Sequence, residues 1–347
     1  MQKIKCYLAA LVSGVLLVTG IWAGYGQSKK NDHLTVYLWE NRLMKNIASY
    51  DVVSKYYSYA VEYYKDTDDE IQWLPICAIP QTIIANKTLF DQYGIKVPEN
   101  YEEYVQVCQQ FYDKGIKPYS MDLAEDWSNQ EIIQAAAIGE FTSLDGIDWR
   151  NKAETSAGEI KFDDVLWKRI FSETSQFLKD SHFSKEDINV NINTGTQMFV
   201  EGKSAMFHGQ PTDMQKLQDQ MDAELIRIPY FSQTSDSSFV YMFPSLNIAF
   251  NKELEKNQEK LDTALDVLDC MISEQGQKLI ADGSGVISLN TDVSSMMQNV
   301  PGLEEEIKDT SIYIRYSAQK SFDASLEAVH GLLSGKPFFL QIRQNLF

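Results

Sequence analysis

Large aromatic side chains stand beside carboxylates and amides near the ends of several predicted strands. Trp39 precedes Glu40, Asp122 stands just ahead of Trp127, Gln210 follows the strand-like run 204–207, and Tyr241 and Phe243 alternate on one strand. An aromatic ring can stack on an apolar ring face while a neighbouring carboxylate or amide bonds a rim of hydroxyls. Such a set holds a ligand without breaking a bond. The signatures of bond-breaking chemistry are missing: no G-x-S-x-G, no G-x-x-x-x-G-K-[ST] and no H-E-x-x-H run occurs. With 49 acidic residues some carboxylate pair at glycosidase spacing is inevitable, but none stands in a recognisable catalytic setting. His33, His182, His208 and His330 show no ligand spacing, so neither a metal nor a cofactor is expected.

Composition narrows the classes further. A chain of 347 residues with 44% hydrophobic residues has room for two lobes with separate cores. A formal charge of −18 repels phosphate backbones and argues against nucleic acid as a partner. Cys77, Cys108 and Cys270 are odd in number with no C-x-x-C spacing, which points to buried free thiols rather than a disulfide framework. The acidic run 66–70 invites calcium, but it lacks the turn glycine and the distant bidentate glutamate of an EF-hand loop. It reads as a solvated hairpin turn.

At the amino terminus, Lys3 and Lys5 precede an uncharged apolar run from Cys6 to Tyr25 and then a polar stretch, so residues 1–31 direct the chain to an export machinery. Two readings stay open. Either Gly24-Tyr25-Gly26 is a cleavage site, or the run, about 20 residues long, remains as a membrane anchor with Trp22 and Tyr25 at the interface.

The elements that must position the aromatic and polar residues alternate between strands and helices. Residues 34–39, 71–75, 82–86, 117–121, 225–229 and 238–251 read as strands, and 52–64, 130–139, 162–183, 259–271, 274–282 and 322–333 as helices. The clearest helix follows Asn100: an N-cap, Glu103 completing a capping box, and an apolar face of Tyr101, Tyr104, Val105, Cys108, Phe111 and Tyr112 ahead of Gly115. This order predicts an α/β fold. Gly202 fits a helix C-cap, after which 204–207 forms a strand that delivers His208, Gly209 and Gln210 to its carboxyl end, where open α/β sheets bind ligands.

The same run, Phe199-Val200-Glu201-Gly202-Lys203-Ser204-Ala205-Met206 through Gly209, resembles the F-x-x-G-K-A-A-M-x-x-x-G motif of extracellular solute-binding proteins of carbohydrate ABC transporters. Gln72-Trp73-Leu74-Pro75 and 83–90, Gly94-Ile95-Lys96-Val97-Pro98, Gly115-Ile116-Lys117-Pro118, 247–252 and Gly276-Gln277 match further motifs of that family in order and spacing. The resemblance implies a type II periplasmic-binding-protein-like fold with two hinged lobes and a sugar between them. Lobe 1 would hold residues 32–120 and 245–310, lobe 2 residues 121–244 and 311–347. It implies no enzymatic activity, no cofactor, an ABC permease as partner, and a place on the outer face of the cytoplasmic membrane or in secreted form. Two rivals stand beside it: a membrane-anchored sugar sensor partnered with a signalling kinase, and a glycoside hydrolase.

The resemblance also gives the aromatic residues a role, with a core alternative for each. Trp39 with Glu40 would meet the sugar at the end of the first strand, or Trp39 is a core residue beside a surface loop. Trp127 with Asp122 would form a stacking platform after the first lobe crossing, or Trp127 packs the start of a helix. Gln210 would bond a hydroxyl, although Pro211 stands where the family often has a Trp. Tyr241 and Phe243 would approach the second crossing, or they are ordinary alternating core. One departure concerns the first lobe: only residues 40–51 separate the first strand from the next helix, where the family places a further helix and strands. The gap reads either as a divergent compact lobe or as an internal deletion, and the deletion would leave the first lobe incomplete, with an unpaired sheet edge.

Overall fold

A computed structural model describes residues 46–56, 61, 70–71, 73–155, 165–281, 287–288, 311–315 and 319–335. The strand expected at 34–39, the acidic run 66–69 and the amino-terminal apolar segment lie outside the described residues. Among those described, no helix is long and apolar enough to cross a membrane. The chain divides into two compact units, Met1–Ile79 with Pro244–Pro301 and Pro80–Phe243 with Gly302–Phe347.

In the first unit the start of the helix expected at 52–64 is a 3-10 turn, Asp51–Lys55, Val61 is helical, and residues 57–60 and 62–64 lie outside the described residues. In the segment expected as a strand at 71–75, Ile71 and Leu74 are bridged, the latter to Ile248. The ten-residue strand β1 (Cys77–Asn86) begins here, its Cys77 and Ala78 pairing with Ser288 and Ile287 of the short strand β7 (Ile287–Ser288). Helix α9 (Gln258–Ile272) is capped by Asn257, whose side chain accepts from the Lys260 amide, and it leads through Ser273 into α10 (Glu274–Ala281). Gln277 on α10 donates to the Ile76 carbonyl at 2.9 Å and ties that helix to the start of β1.

The second unit receives the rest of β1. Residues 82–85 pair antiparallel with β3 (Ser204–Gly209), and 83–86 with β4 (Leu225–Ile228). Strand β2 (Lys117–Ser120) runs parallel to β3. Residues 80–120, expected in the first lobe, thus pack in the second unit, because the apolar strand at 83–86 and the amphipathic helix after Asn100 find their partners there. A second ladder joins β5 (Tyr230–Phe231) antiparallel to β6 (Ser238–Ser245), which pairs parallel with β8 (Ser311–Ile314).

Helices cover these strands. Between β1 and β2 lie α1 (Lys87–Tyr93), closed by Gly94 in the left-handed region at φ 64°, and α2 (Tyr101–Asp113), capped by Asn100 accepting from the Glu103 amide at 2.9 Å. The Glu103 carboxylate returns to the amide of Glu99 rather than to that of Asn100, so the expected capping box is displaced by one residue. Between β2 and β3 come α3 (Asp126–Ala136), the short α4 (Ile138–Thr142), α5 (Leu144–Thr155), α6 (Val165–Asp180) and α7 (Ile192–Val200). Helix α8 (Pro211–Gln218) follows β3, and α11 (Gln319–Leu333) packs against α3. Helix α3 is buried on every side from Ser128 to Ala136, as its position between other elements requires. The core joins Phe111, Tyr119, Ile133, Phe141, Trp167, Ile170 and Met206.

Cys77 and Cys108 are buried free thiols and Cys270 a half-buried one. Burial pushes the thiols of Cys77 and Cys108 up to about 12, so neither is a thiolate at neutral pH.

Candidate functional site

Parallel strands β2 and β3 point the same way, β2 ending at Ser120 opposite Phe207 and β3 two residues further on at Gly209, and the chain carries Asp122 and Gln210 just past those ends. Strand β3 runs two residues further than expected, so His208 lies within the ladder opposite Ile83 instead of beyond the strand end. Its side chain meets Glu131 from the buried helix α3. His208 Nε2 stands 2.7 Å from Glu131 Oε2, and the other Glu131 oxygen accepts from Arg315 Nη1. Arg315 follows β8 directly; its amide bonds the Met242 carbonyl at 2.9 Å and its guanidinium lies 4.6 Å over the Phe243 ring. His208 Nδ1 stands 3.0 Å from the Tyr230 hydroxyl. Glu131 and His208 are almost fully buried, at 1% and 5% exposure, so these charges are stabilised by one another and not by water.

The electrostatics follow from that enclosure. Burial alone would raise the Glu131 carboxyl, but Arg315 and His208 outweigh it and hold the group below the ordinary carboxylate range. Burial opposes the His208 imidazolium, yet contact with Glu131 and the charges of Glu131, Asp122 and Asp213 push it above its ordinary value. Asp122 is raised, chiefly by burial, with His208 pulling the other way. Its Oδ1 accepts from Ser128 Oγ at 3.3 Å, while its buried Oδ2 has no hydrogen-bond partner among the described residues. A buried acceptor without a donor costs about 1–3 kcal/mol, so a ligand hydroxyl donating to Asp122 Oδ2 would be favourable there.

Trp127, the second residue of α3, rests its half-buried indole on the His208 ring, with centroids 6.2 Å apart. Asp122, Trp127 and Phe243 are thereby gathered around one ionic cluster of Glu131, His208 and Arg315. Gln210 lies two residues past His208, half-buried; its amide donates to Asp213 Oδ2 at 2.9 Å and its carbonyl accepts from the Asp213 amide, so its backbone caps α8. Tyr241, 1% exposed, packs between the tilted rings of Tyr230 and Tyr313 as a core residue. Trp39 and Glu40 lie outside the described residues.

Sequence reasoning missed Glu131 and Arg315. The signal for Glu131 is an acid in a segment whose neighbours Ile132, Ile133, Ala135, Ala136 and Ala137 are apolar; nothing local marks Arg315, which depends on the β6–β8 pairing. Among the described residues no three His, Cys, Asp or Glu side chains are grouped to hold a metal ion. An open groove of about 970 Å³ is lined by Tyr112, His182, Phe183, Leu332 and Leu333 and reaches Lys117 at the other end of β2; none of the described candidate residues lines it.

Comparison with known proteins places this geometry. A "Multiple sugar-binding protein" of Streptococcus mutans is 24% identical over 148 residues, 43% of this chain, and the match spans only 34% of that protein's length. Among solved structures, a family 1 extracellular solute-binding protein from Bifidobacterium longum subsp. infantis superposes with a TM-score of 0.66 at 14% identity, covering 85% of this chain and 76% of its own. A sugar transporter protein from Bacillus licheniformis in complex with stachyose gives 0.58 at 13% identity, covering 87% and 78%. These likenesses establish the fold as the type II periplasmic-binding-protein-like α/β architecture. The family model for the bacterial extracellular solute-binding protein matches residues 27–309, most of the sequence, and the chain belongs to that family.

Proposed function

We propose that the protein captures a carbohydrate outside the cell and presents it to the permease of an ABC transporter, as a binding protein and not an enzyme. The observation that carries this reading is the half-buried Trp127 ring, held against His208 near the carboxyl end of β3, together with the buried Asp122 carboxylate just past the end of β2. A stacking face next to a hydroxyl acceptor is what a sugar ring requires. The sugar-binding names of the Streptococcus mutans relative and the stachyose complex point the same way. Trp127 and Asp122 would bind the ligand, with Gln210 and Phe243 beside them and Tyr241 supporting the wall from the core; Trp39 and Glu40 would complete the set. The amino-terminal segment would hold the protein on the outer face of the membrane or be removed on secretion.

A thermal-shift screen of the full chain against a glycan panel tests the ligand class. Some mono- or oligosaccharide should raise the transition, growing with concentration as RT ln(1 + [L]/Kd). If amino acids, peptides or metal ions alone shift it, the carbohydrate reading fails. Trp127→Ala should weaken the sugar identified in that screen by about 1–3 kcal/mol, the scale of a lost aromatic anchor, with the fold intact. Unchanged affinity in the folded variant would remove Trp127 from the site.

A further inference from the structure

We propose that His208 is a positioning residue whose charge state sets how firmly the Trp127 platform is held. The inference rests on the carbohydrate reading only where it predicts ligand affinity. Both ring nitrogens of His208 are engaged, Nε2 with Glu131 and Nδ1 with the Tyr230 hydroxyl. The Glu131 carboxylate accepts only, so Nε2 carries a hydrogen in either state; Tyr230 can accept from an Nδ1–H or donate to a bare Nδ1. The ring therefore keeps its place whether it is charged or neutral. What changes is the charge against the indole.

A cation about 6 Å from the centroid of an indole ring is attracted to it, and the neutral imidazole is not. The groups that face His208 determine which form is present. From α3 comes Glu131, from the turn after β2 Asp122, from α8 Asp213, from β5 Tyr230, and Arg315 bears on the ring through the Glu131 it shares. Three acids against one shared cation favour the imidazolium. Its folded value is raised above the ordinary one, so the cation is present at acid pH and is lost only as pH rises through that raised value.

The difference in emission between the full-length protein and its Trp127→Phe variant isolates Trp127, and a protonated imidazole in ring contact quenches an indole. That difference should grow as pH rises, with a midpoint above about 6.5. It should not titrate in His208→Gln, and in Asp122→Asn, which removes one facing charge, the midpoint should move to lower pH. Stachyose affinity, if that sugar binds, should fall about threefold to tenfold across the same midpoint in the wild type and should not do so in His208→Gln. A Trp127 emission that ignores pH, or that titrates identically in His208→Gln, would overturn the inference. If His208→Gln does not fold, an unmoved midpoint in Asp122→Asn does the same. Failure of stachyose to bind at any pH would count against that ligand, and the emission arm would still decide the role of His208.

Discussion

Replacing Glu131 with Ala should destabilise the second unit by about 3–5 kcal/mol, the cost of breaking a buried ion pair from one side. The carboxylate is the shared counter-charge of the buried His208 and the partly buried Arg315, and at 1% exposure it is itself shielded from solvent. Its loss also removes the strongest of the influences that raise His208, so the imidazole should lose its proton at lower pH than in the wild type while Arg315 stays charged and loses this partner. The pH dependence has a defined sign. A histidine raised in the folded state contributes stability that is fully present below about pH 6.5 and lost as pH rises through its folded value. The penalty of Glu131→Ala should therefore shrink at high pH, where the wild type has already lost the imidazolium. Amide hydrogen exchange in β3, which reports on the unit holding that strand, is the measurement; a loss under about 1 kcal/mol at neutral pH would mean that Arg315 and His208 find solvent or other partners.

Local signals in the chain were readable because local chemistry fixes them. Asn100 caps its helix, Gly202 adopts φ 69° after α7, and the apolar face of 101–112 packs as its spacing requires. Pairing between distant segments was not readable in this way. Thr82–Asn86 is a strand in sequence and in structure, but only its register with Met206–Gly209 and Leu225–Ile228 places it in the second unit. Trp127 illustrates both sides. Its position near a helix start was legible, whereas the His208 ring beneath it depends on β3 running through residue 209. Arg315 and Glu131 lie 184 residues apart, and no spacing rule joins them. The Tyr241 and Phe243 pair shows the limit of alternation: strand periodicity puts them on one face, yet Tyr241 meets Tyr230 and Tyr313, while Phe243 meets the Arg315 guanidinium one step further along.

Trp167→Ala should cost about 3–5 kcal/mol, since the indole is 1% exposed and packed among three other large rings. Its ring centroid lies 4.8 Å from Trp149, 5.2 Å from Phe171 and 5.9 Å from Phe141. Three large rings held by three different helices cannot all move into the space, so most of the cavity should persist. Phe141 also touches Tyr313 at 6.5 Å, and Tyr313 donates to Gln134 Oε1 at 2.7 Å, on the helix that carries Glu131. Relaxation of this packing therefore reaches β8 two residues before Arg315. The destabilisation of Trp167→Ala and Glu131→Ala together should consequently fall short of the sum of the two, because part of each loss is the same loosening of β8 against α3. Urea unfolding of the single and double variants, read through exchange of the β3 amides, gives the coupling. Strict additivity within about 0.5 kcal/mol would show that the aromatic core and the ionic cluster are independent, and that the site does not rest on the packing beneath it.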